Sequence, residues 1–386
     1  MSESKGAETF RKERIYLFLL LLTVSATVGL QVWRTLYNNF AVEVAGLNGF
    51  ENGIVQSIRE IPGFLSLLVV YILLIIKEQR MAALSVLILG LGVTLTGLLP
   101  TFYGLIFTTL LMSFGFHYFE TLNQSLTLQH FDIKITPLVF GRLRSMTAAS
   151  NVFVGLFVFF LVGLFTYKSL YLVVGILVMI IAGFCFYKKP VTSQGVVQNK
   201  GLVLRKQYWL YYTLTFLAGA RRQVFVAFAV FLLVKNFDYS VKTITILFLI
   251  NNVVNYFLSP IIGKAIVRFG ERKVLSLEYF SLIFVFLIYA FSNNVMIVGL
   301  MYILDHIFFN FGISIRTYFQ KIADPKDIAP SMAVGFTINH IAAVLIPALG
   351  GWLWLVDYKI PFIAGAVLAF ISLVITQFIK TIQNPI

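Results

Sequence analysis

The chain has 386 residues and a formal net charge of +14, yet 59% of its residues are hydrophobic and only 12% are charged. A soluble globular protein carries about 25% charged residues, so this composition excludes a soluble protein and indicates an integral membrane protein. Lysine and arginine collect on one side of a membrane, so the positive charge requires no nucleic-acid partner, and we expect none. The single Cys185 cannot form an internal disulfide and has no metal-site spacing around it, so no metal or cofactor is predicted.

Twelve apolar stretches reach the roughly 20 residues that a helix needs to cross a bilayer. In chain order they lie at 17–45, 50–76, 81–100, 102–129, 138–166, 168–187, 207–235, 241–265, 273–293, 295–320, 329–355 and 359–380. The basic segment 188–206 separates six spans from six. We therefore predict an all-α integral membrane fold of 12 transmembrane helices, in which a cytoplasmic linker joins two pseudo-symmetric six-helix bundles, 1–187 and 207–386.

The basic residues predict the orientation of the chain. Of the 30 lysines and arginines, 21 fall in segments on the side of both termini, four fall on the opposite side and five fall inside spans. By the positive-inside rule both termini are cytoplasmic. We expect a multi-pass monomer in the inner (cytoplasmic) membrane, in contact with membrane lipid.

The two halves of the sequence resemble each other. The matching pairs are Arg34 with Arg222, Glu78 with Glu271, and His117 with His306, at separations of 188, 193 and 189 residues. A duplicated six-helix unit explains these separations, and transporters built from parallel repeats carry their substrate site between the repeats. Because removal of a signal peptide would delete one member of the first pair, we predict that the first span is retained.

Eight charged residues lie inside the predicted spans. They are Arg34, Arg59, Arg221, Arg222 and Arg316, with Glu60, Glu120 and Asp305. At the centre of a lipid-facing helix each would cost about 2.5–3.5 kcal/mol, so we predict that they face a polar interior. Spans three, six, nine and twelve are almost free of charge, apart from Glu278 near the cytoplasmic end of span nine, and we predict that these four face lipid.

The segment GKAIVRFGERKVL at 263–275 resembles the cytoplasmic signature G-x-x-x-D-R-x-G-x-R-K/R of the major facilitator superfamily. The matching residues are Gly263, Arg268, Gly270, Arg272 and Lys273, whereas Val267 replaces the usual acidic residue. The resemblance extends over essentially the whole chain. It implies alternating access, in which two bundles rock about a central site lined chiefly by spans one, four, seven and ten.

Arg34 and Arg222 are the strongest candidates for solute binding, because guanidinium groups suit carboxylate or phosphate. In the organophosphate–phosphate exchangers that this family includes, arginines of spans one and seven bind the anion, and the present pair is similar in position and residue type. The predicted solute-binding residues are Arg34, Arg222, Arg221, Gln223, Asn38, His117, Asn151, Asn252, Asn255, His306 and Asn310.

Structural ion pairs are the alternative role for the charged residues. Arg34 or Arg59 would then pair with Glu60, and Arg222 with Asp305 or Glu120. The residues predicted either to carry a coupling proton or to form such pairs are Glu60, Arg59, Glu120, Asp305 and Arg316.

We predict a secondary active transporter that moves a small anionic solute by proton symport or exchange, and we find no enzyme signature. Two rivals stay open. The same fold could export cationic or amphipathic compounds or flip a lipid. Alternatively, the chain is a membrane sensor or assembly factor that transports nothing.

Overall fold

The computed structural model describes residues 2–188 and 196–380, so 189–195 of the predicted linker and 381–386 of the predicted C-terminal bundle lie outside the described residues. The described chain folds into helices. They are α1 (Ser2–Glu43), α2 (Gly49–Phe64), α3 (Val69–Ile72), α4 (Glu78–Thr96), α5 (Phe102–His130), α6 (Thr136–Leu161), α7 (Tyr167–Tyr187), α8 (Trp209–Phe237), α9 (Val241–Phe269), α10 (Glu271–Phe291), α11 (Val295–Phe309), α12 (Ile313–Ile322), α13 (Ile328–Val356) and α14 (Lys359–Thr376).

Polar residues fix several helix starts, because the first backbone N–H groups of a helix have no partner within it. Asn48 and Glu51 form a reciprocal capping box at α2. The hydroxyls of Thr101, Thr166 and Ser240 accept backbone N–H groups at the starts of α5, α7 and α9. These capping residues place the helix starts where the sequence changes from polar to apolar.

The predicted spans and the helices coincide. Among the residues that the structure describes, 11 helices are long and apolar enough to cross a membrane. The remaining predicted span, 329–355, corresponds to α13. The all-helical, multi-pass fold class is confirmed.

The helices belong to two compact units. Unit 1 comprises Met1–Asp132, Met146–Val203 and Pro325–Val334, and unit 2 comprises Ile133–Ser145, Leu204–Asp324 and Gly335–Ile386. The start of span five therefore belongs with unit 2, and the start of span eleven belongs with unit 1. The domain boundaries drawn from the sequence at 188–206 stay a prediction.

The described linker residues up to Val203 belong to unit 1 and are held there by hydrogen bonds. The Gln198 side chain donates to the carbonyl of Pro325 at 2.9 Å and accepts the backbone N–H of Ala329 at 2.9 Å, in the first turn of α13. Asn199 Nδ2 donates to Oδ1 of the buried Asp327 at 2.6 Å. These bonds explain why the start of span eleven belongs to unit 1.

Glycines allow α4 to pack closely on its neighbours in unit 1. A methyl group added at Gly92 would meet the backbone of Met112, and one added at Gly115 would meet the backbone of Leu89 and Ser85. Small residues of this kind let membrane helices approach one another. As a result 61% of the residues in an apolar 18-residue stretch of α4 are buried, whereas the corresponding fraction for α9 is 22%. Span three thus packs closely on its neighbours, and the prediction that its remaining face contacts lipid stays a prediction.

We expect Gly115→Ala to destabilise the folded protein, because the new methyl group meets backbone rather than a movable side chain. Overpacking of this kind costs about 1–3 kcal/mol, and the thermal unfolding midpoint in detergent measures it. Gly183→Ala is the matched control, since a methyl group there meets nothing within 4 Å. Equal unfolding midpoints for the two variants would contradict the packing described.

Candidate functional site

The two adjacent arginines of α8 have opposite environments. Only 3% of Arg221 is exposed, whereas Arg222 is exposed. Successive residues of an α-helix are rotated by about 100°, so one helix can direct the two side chains to different surfaces. The two arginines therefore contact different parts of the protein.

Arg221 points into unit 2 toward α10 and α14. Its guanidinium donates to the Ser372 hydroxyl, and Nη2 lies 3.7 Å from Oε1 of Glu278. The guanidinium carbon lies 4.2 Å from the centre of the Tyr279 ring. These contacts make Arg221 part of a buried ion pair, in contrast to the predicted solute contact. They also show that spans nine and twelve, predicted to face only lipid, hold the partners of a charge.

Arg222 lies against Phe309 of α11, with 5.0 Å between the guanidinium carbon and the ring centre. Arg144 of α6 lies 5.6 Å from the centre of the same ring. The electrostatic fields of both arginines also reach His306. Unit 2 therefore brings two guanidinium groups from two helices to one aromatic side chain.

Asparagines connect these groups. Arg144 Nε donates to Asn310 Oδ1 at 2.9 Å. Asn310 Nδ2 donates in turn to Asn255 Oδ1 at 2.6 Å and to the carbonyl of His306 at 3.0 Å. We call Arg144, Arg222, Asn255, His306, Phe309 and Asn310 the Phe309 cluster. All six residues lie in unit 2, and they come from α6, α8, α9 and span ten.

The Phe309 cluster forms where span ten is interrupted. The helix α11 ends at Phe309, a 3₁₀ turn covers Asn310–Gly312, and α12 begins at Ile313. A 3₁₀ stretch inside a helix often marks a functional position, and transporters commonly bind solutes at discontinuous membrane helices. Asn310 is thus the first residue of the turn and holds side chains from two neighbouring helices.

Arg144 is the member of the Phe309 cluster that the sequence analysis does not predict. Its position near the predicted start of span five placed it among the cytoplasmic charges. However, α6 begins at Thr136, so Arg144 lies about 12 Å along the helix from its start. Arg142 is exposed and Arg144 is half-buried, which separates the two charges. Counting helical turns from Thr136 would have placed Arg144 inside the helix and not at its start.

Unit 1 carries the predicted residues of the first half. Arg34 and Asn38 are exposed on α1. Arg59 Nη2 lies 2.8 Å from Oε1 of Glu60, so Glu60 pairs with Arg59, one of the two partners expected for it. The Ser113 hydroxyl donates to the carbonyl of Arg59 at 2.5 Å, which ties α2 to α5.

The other predicted residues are distributed over both units. His117, Glu120 and Asn151 belong to unit 1, whereas Gln223, Asn252 and Arg316 belong to unit 2. Glu120 accepts a hydrogen bond from Gln124 at 3.2 Å, and Arg316 lies 5.8 Å from the centre of the Phe140 ring. Neither contact brings these residues into the Phe309 cluster.

The ion-pair alternative gives Arg222 either Asp305 or Glu120 as its partner. The Asp305 side chain is 5% exposed, and it forms no ion pair within 4.0 Å in the part of the chain that the structure describes. Asp305 directly precedes His306 on α11, and the rotation of about 100° between successive residues directs the two side chains to different surfaces.

The signature loop is ordered by its glycines and by Arg272. Gly270 has φ = +78° between α9 and α10, a conformation that favours glycine. A methyl group at Gly263 would meet the carbonyl of Pro137. Arg272 donates to Gln377 Oε1 at 3.0 and 3.1 Å, whereas Arg268 and Lys273 are exposed.

The sequence repeat has a structural counterpart at the starts of α4 and α10. Glu78 accepts a hydrogen bond from Gln129 at 2.8 Å. Glu271 pairs with Lys321 at 2.8 Å. Each glutamate thus joins the third span of its half to the end of the fourth, as a duplicated unit predicts.

Comparisons with known proteins agree on one family. The family described as Major Facilitator Superfamily matches residues 15–323 and, in an overlapping match, 211–385. No curated protein matches the chain by sequence.

Solved structures share the fold at low identity. The human organic anion transporter MFSD10 (TETRAN) has a TM-score of 0.74 at 10% identity, over 95% of this chain and 99% of that chain. The Escherichia coli fucose:proton symporter FucP has a TM-score of 0.74 at 13% identity, over 95% and 98%. A bacterial homologue of the iron transporter ferroportin, in its outward-facing state, has a TM-score of 0.73 at 14% identity, over 94% and 98%.

Proposed function

This chain belongs to the major facilitator superfamily, and from that premise we propose that it is a secondary active transporter of a small anionic solute, coupled to protons by symport or exchange. The observation that carries the proposal is the pair of guanidinium groups, Arg144 and Arg222, at the Phe309 ring. Charged side chains inside membrane segments are costly and usually mark a solute or ion pathway.

The chemistry of the Phe309 cluster favours an anion. Guanidinium groups donate bidentate hydrogen bonds to carboxylate or phosphate, and such charge-assisted bonds are stronger than neutral ones. Asn310 already bonds Arg144 and Asn255, so it holds one guanidinium in place before a solute arrives. Pre-organisation of this kind lowers the entropic cost of binding. Arg34 of unit 1 stays a predicted solute-binding residue.

The structural relatives are compatible with this proposal. One of them is described as an organic anion transporter, and another as a fucose:proton symporter. The shared fold therefore serves anionic solutes in one protein and proton coupling in another.

A thermal-shift panel on purified protein tests the proposal against its rivals. Inorganic phosphate, a sugar phosphate and succinate represent small anions, and tetraphenylphosphonium and an anionic phospholipid represent the export and lipid alternatives. We expect at least one small anion to raise the unfolding midpoint. Stabilisation by the cation or the phospholipid alone would favour the rival transporters, and no stabilisation by any compound would favour the sensor or assembly factor.

We expect Arg144→Gln to weaken the binding of the stabilising anion by about tenfold or more, because a charged hydrogen bond contributes about 1.5–3 kcal/mol. Titration calorimetry measures the affinity. Arg142→Gln is the matched control, since Arg142 is an exposed arginine two residues away on α6. Equal affinities for the two variants would remove Arg144 from the site.

We also propose the inner membrane as the location, with both termini in the cytoplasm. Of the 21 basic residues counted on the terminal side of the spans, the 20 other than Arg144 support this orientation. Reporter domains fused to each terminus test it. Activity of a cytoplasm-specific reporter at both ends is expected, and activity of a periplasm-specific reporter at either end would contradict it.

A further inference from the structure

The starts of α4 and α10 carry matching glutamates that have different partners. Glu78 is the first residue of α4, and its Oε2 accepts a hydrogen bond from Gln129, the penultimate residue of α5. Glu271 is the first residue of α10, and its Oε2 lies 2.8 Å from the ammonium group of Lys321, the penultimate residue of α12. The first half therefore has a neutral glutamine where the second half has a cation.

Glu78 has no positively charged partner of its own. It forms no ion pair within 4.0 Å among the residues that the structure describes, and its Oε1 is buried without a hydrogen-bond partner. The positive end of a helix dipole stabilises an acidic residue in the first turn, but this contribution is common to α4 and α10. Because a carboxylate withdrawn from water requires a compensating partner, unit 1 lacks one cation at this position.

A cavity of about 180 Å³ lies beside Glu78 within unit 1. One of its walls is apolar and is formed by Val70, Leu73 and Leu74. The other walls are formed by Glu78, the linker segment 197–200 and the first turn of α13. This volume equals that of about six water molecules in the liquid, so it holds a small organic molecule.

Hydrogen bonds fix the linker wall of this cavity. The Gln198 side chain makes two hydrogen bonds of 2.9 Å, one to Pro325 and one to Ala329. The backbone N–H of Asn199 donates to the carbonyl of Lys326 at 2.8 Å, and its Nδ2 donates to a buried carboxylate. Asn199 Oδ1 accepts no hydrogen bond in the described part of the chain. The linker therefore adds a fixed oxygen acceptor to the cavity.

The walls favour an organic ammonium group over a proton or a metal ion. A proton requires no cavity. Mg²⁺ and Ca²⁺ take about six to eight oxygen ligands, whereas this cavity offers one carboxylate and an apolar wall. A primary ammonium group has three N–H donors, and a short alkyl chain attached to it gains from contact with Val70, Leu73 and Leu74.

We propose that this cavity binds a primary ammonium group, which donates to the Glu78 carboxylate and to Asn199 Oδ1. The ligand thus supplies in unit 1 the charge that Lys321 supplies in unit 2. A small alkylamine and the headgroup of an amine-bearing lipid both present this group. Because the linker forms part of the wall, the bound ligand holds the linker on unit 1. The site shares no residue with the Phe309 cluster and does not rest on the proposed function.

Thermal unfolding of the purified protein in an amine-free buffer tests the site. Propylammonium chloride is the probe, and sodium chloride at the same ionic strength is the reference. We expect propylammonium to raise the unfolding midpoint until the effect saturates. Tetramethylammonium has no N–H donor and should act no differently from sodium. Equal midpoints in propylammonium chloride and sodium chloride would overturn the proposal.

Glu78→Gln assigns the response to the cavity. It should weaken propylammonium binding at least about tenfold, because a hydrogen bond to a charged group is lost. Glu43→Gln is the control and should keep the wild-type response, since Glu43 is exposed at the end of α1. A wild-type response in Glu78→Gln would place the amine elsewhere and contradict the proposal.

Gln129→Lys gives the first half the lysine that the second half has. We expect this variant to unfold at a higher temperature than the wild type without any amine, and to show no response to propylammonium. It removes no acceptor from the cavity, so it decides the question even if Glu78→Gln fails to fold. A full wild-type response in Gln129→Lys would contradict the proposal.

Lys200 is the competing source of positive charge within the chain. It lines the cavity and is exposed, and it forms no ion pair with Glu78 within 4.0 Å. Lys200→Gln should therefore respond to propylammonium as the wild type does. A response that appears only in Lys200→Gln would show that Lys200 itself occupies the cavity and would exclude the proposed ligand.

Bicelles distinguish a lipid headgroup from a soluble amine. Phosphatidylethanolamine carries a primary ammonium group, whereas phosphatidylcholine has no N–H donor. A higher midpoint in phosphatidylethanolamine, seen in the wild type but not in Gln129→Lys, together with loss of the propylammonium response, identifies the lipid as the ligand. Equal midpoints in the two lipids with the propylammonium response retained identify a soluble amine.

Discussion

Arg222→Gln is expected to abolish uptake of the anionic solute while the protein still folds. Arg222 is exposed on α8 and lies 5.0 Å from the centre of the Phe309 ring. Its replacement therefore leaves the buried contacts of Arg221 with Glu278 and Ser372 in place. Loss of a charged hydrogen bond to the solute costs about 1.5–3 kcal/mol, which corresponds to roughly tenfold to over a hundredfold in affinity. Uptake of labelled anion into proteoliposomes measures the effect.

A matched control separates this effect from a general loss of positive charge. Arg142 is also exposed in unit 2. Arg142→Gln removes the same charge outside the Phe309 cluster. Uptake should stay near the wild-type level in this variant, and an equal loss in both variants would argue against a specific solute contact of Arg222.

Arg221→Leu should have the opposite outcome and lose folded protein. The substitution leaves Glu278 without the guanidinium that lies 3.7 Å away and removes the donor to Ser372. Breaking a buried ion pair from one side costs about 3–5 kcal/mol. Unfolding by sodium dodecyl sulfate, followed by circular dichroism, should show a lower midpoint than for Arg222→Gln.

A second substitution tests the cause of that loss. Replacing a buried ion pair by apolar residues is often neutral, so Arg221→Leu combined with Glu278→Leu should regain much of the stability. If the double variant is as unstable as Arg221→Leu alone, the loss comes from packing against Tyr279 rather than from an unpaired charge.

The sequence predicts the helices well because the bilayer sets their length. The predicted span 102–129 and α5, Phe102–His130, differ by a single residue. Likewise, the sequence repeat pairs Glu78 with Glu271. In the structure each of these glutamates lies at the start of the third span of its half and bonds to the end of the fourth span. Both signals depend on local composition and chain order, which a sequence contains directly.

The candidate site is less predictable, because it depends on how each helix is rotated about its axis. The rotation of about 100° between successive helical residues shows that the side chains of Arg221 and Arg222 point in different directions. It does not show that Arg221 contacts α10 and α14. That rotation follows from packing around Tyr279 and Ser372. The 3₁₀ turn at Asn310–Gly312 also has no clear sequence signal, and it decides that Arg144 joins the Phe309 cluster.

A cryo-electron microscopy structure of the protein with its stabilising anion tests the central claim most directly. We predict density for the anion in contact with the guanidinium groups of Arg144 and Arg222 beside Phe309. Arg221 should stay paired with Glu278 in the same structure. Density for the anion at a position remote from both Arg144 and Arg222 would contradict the account.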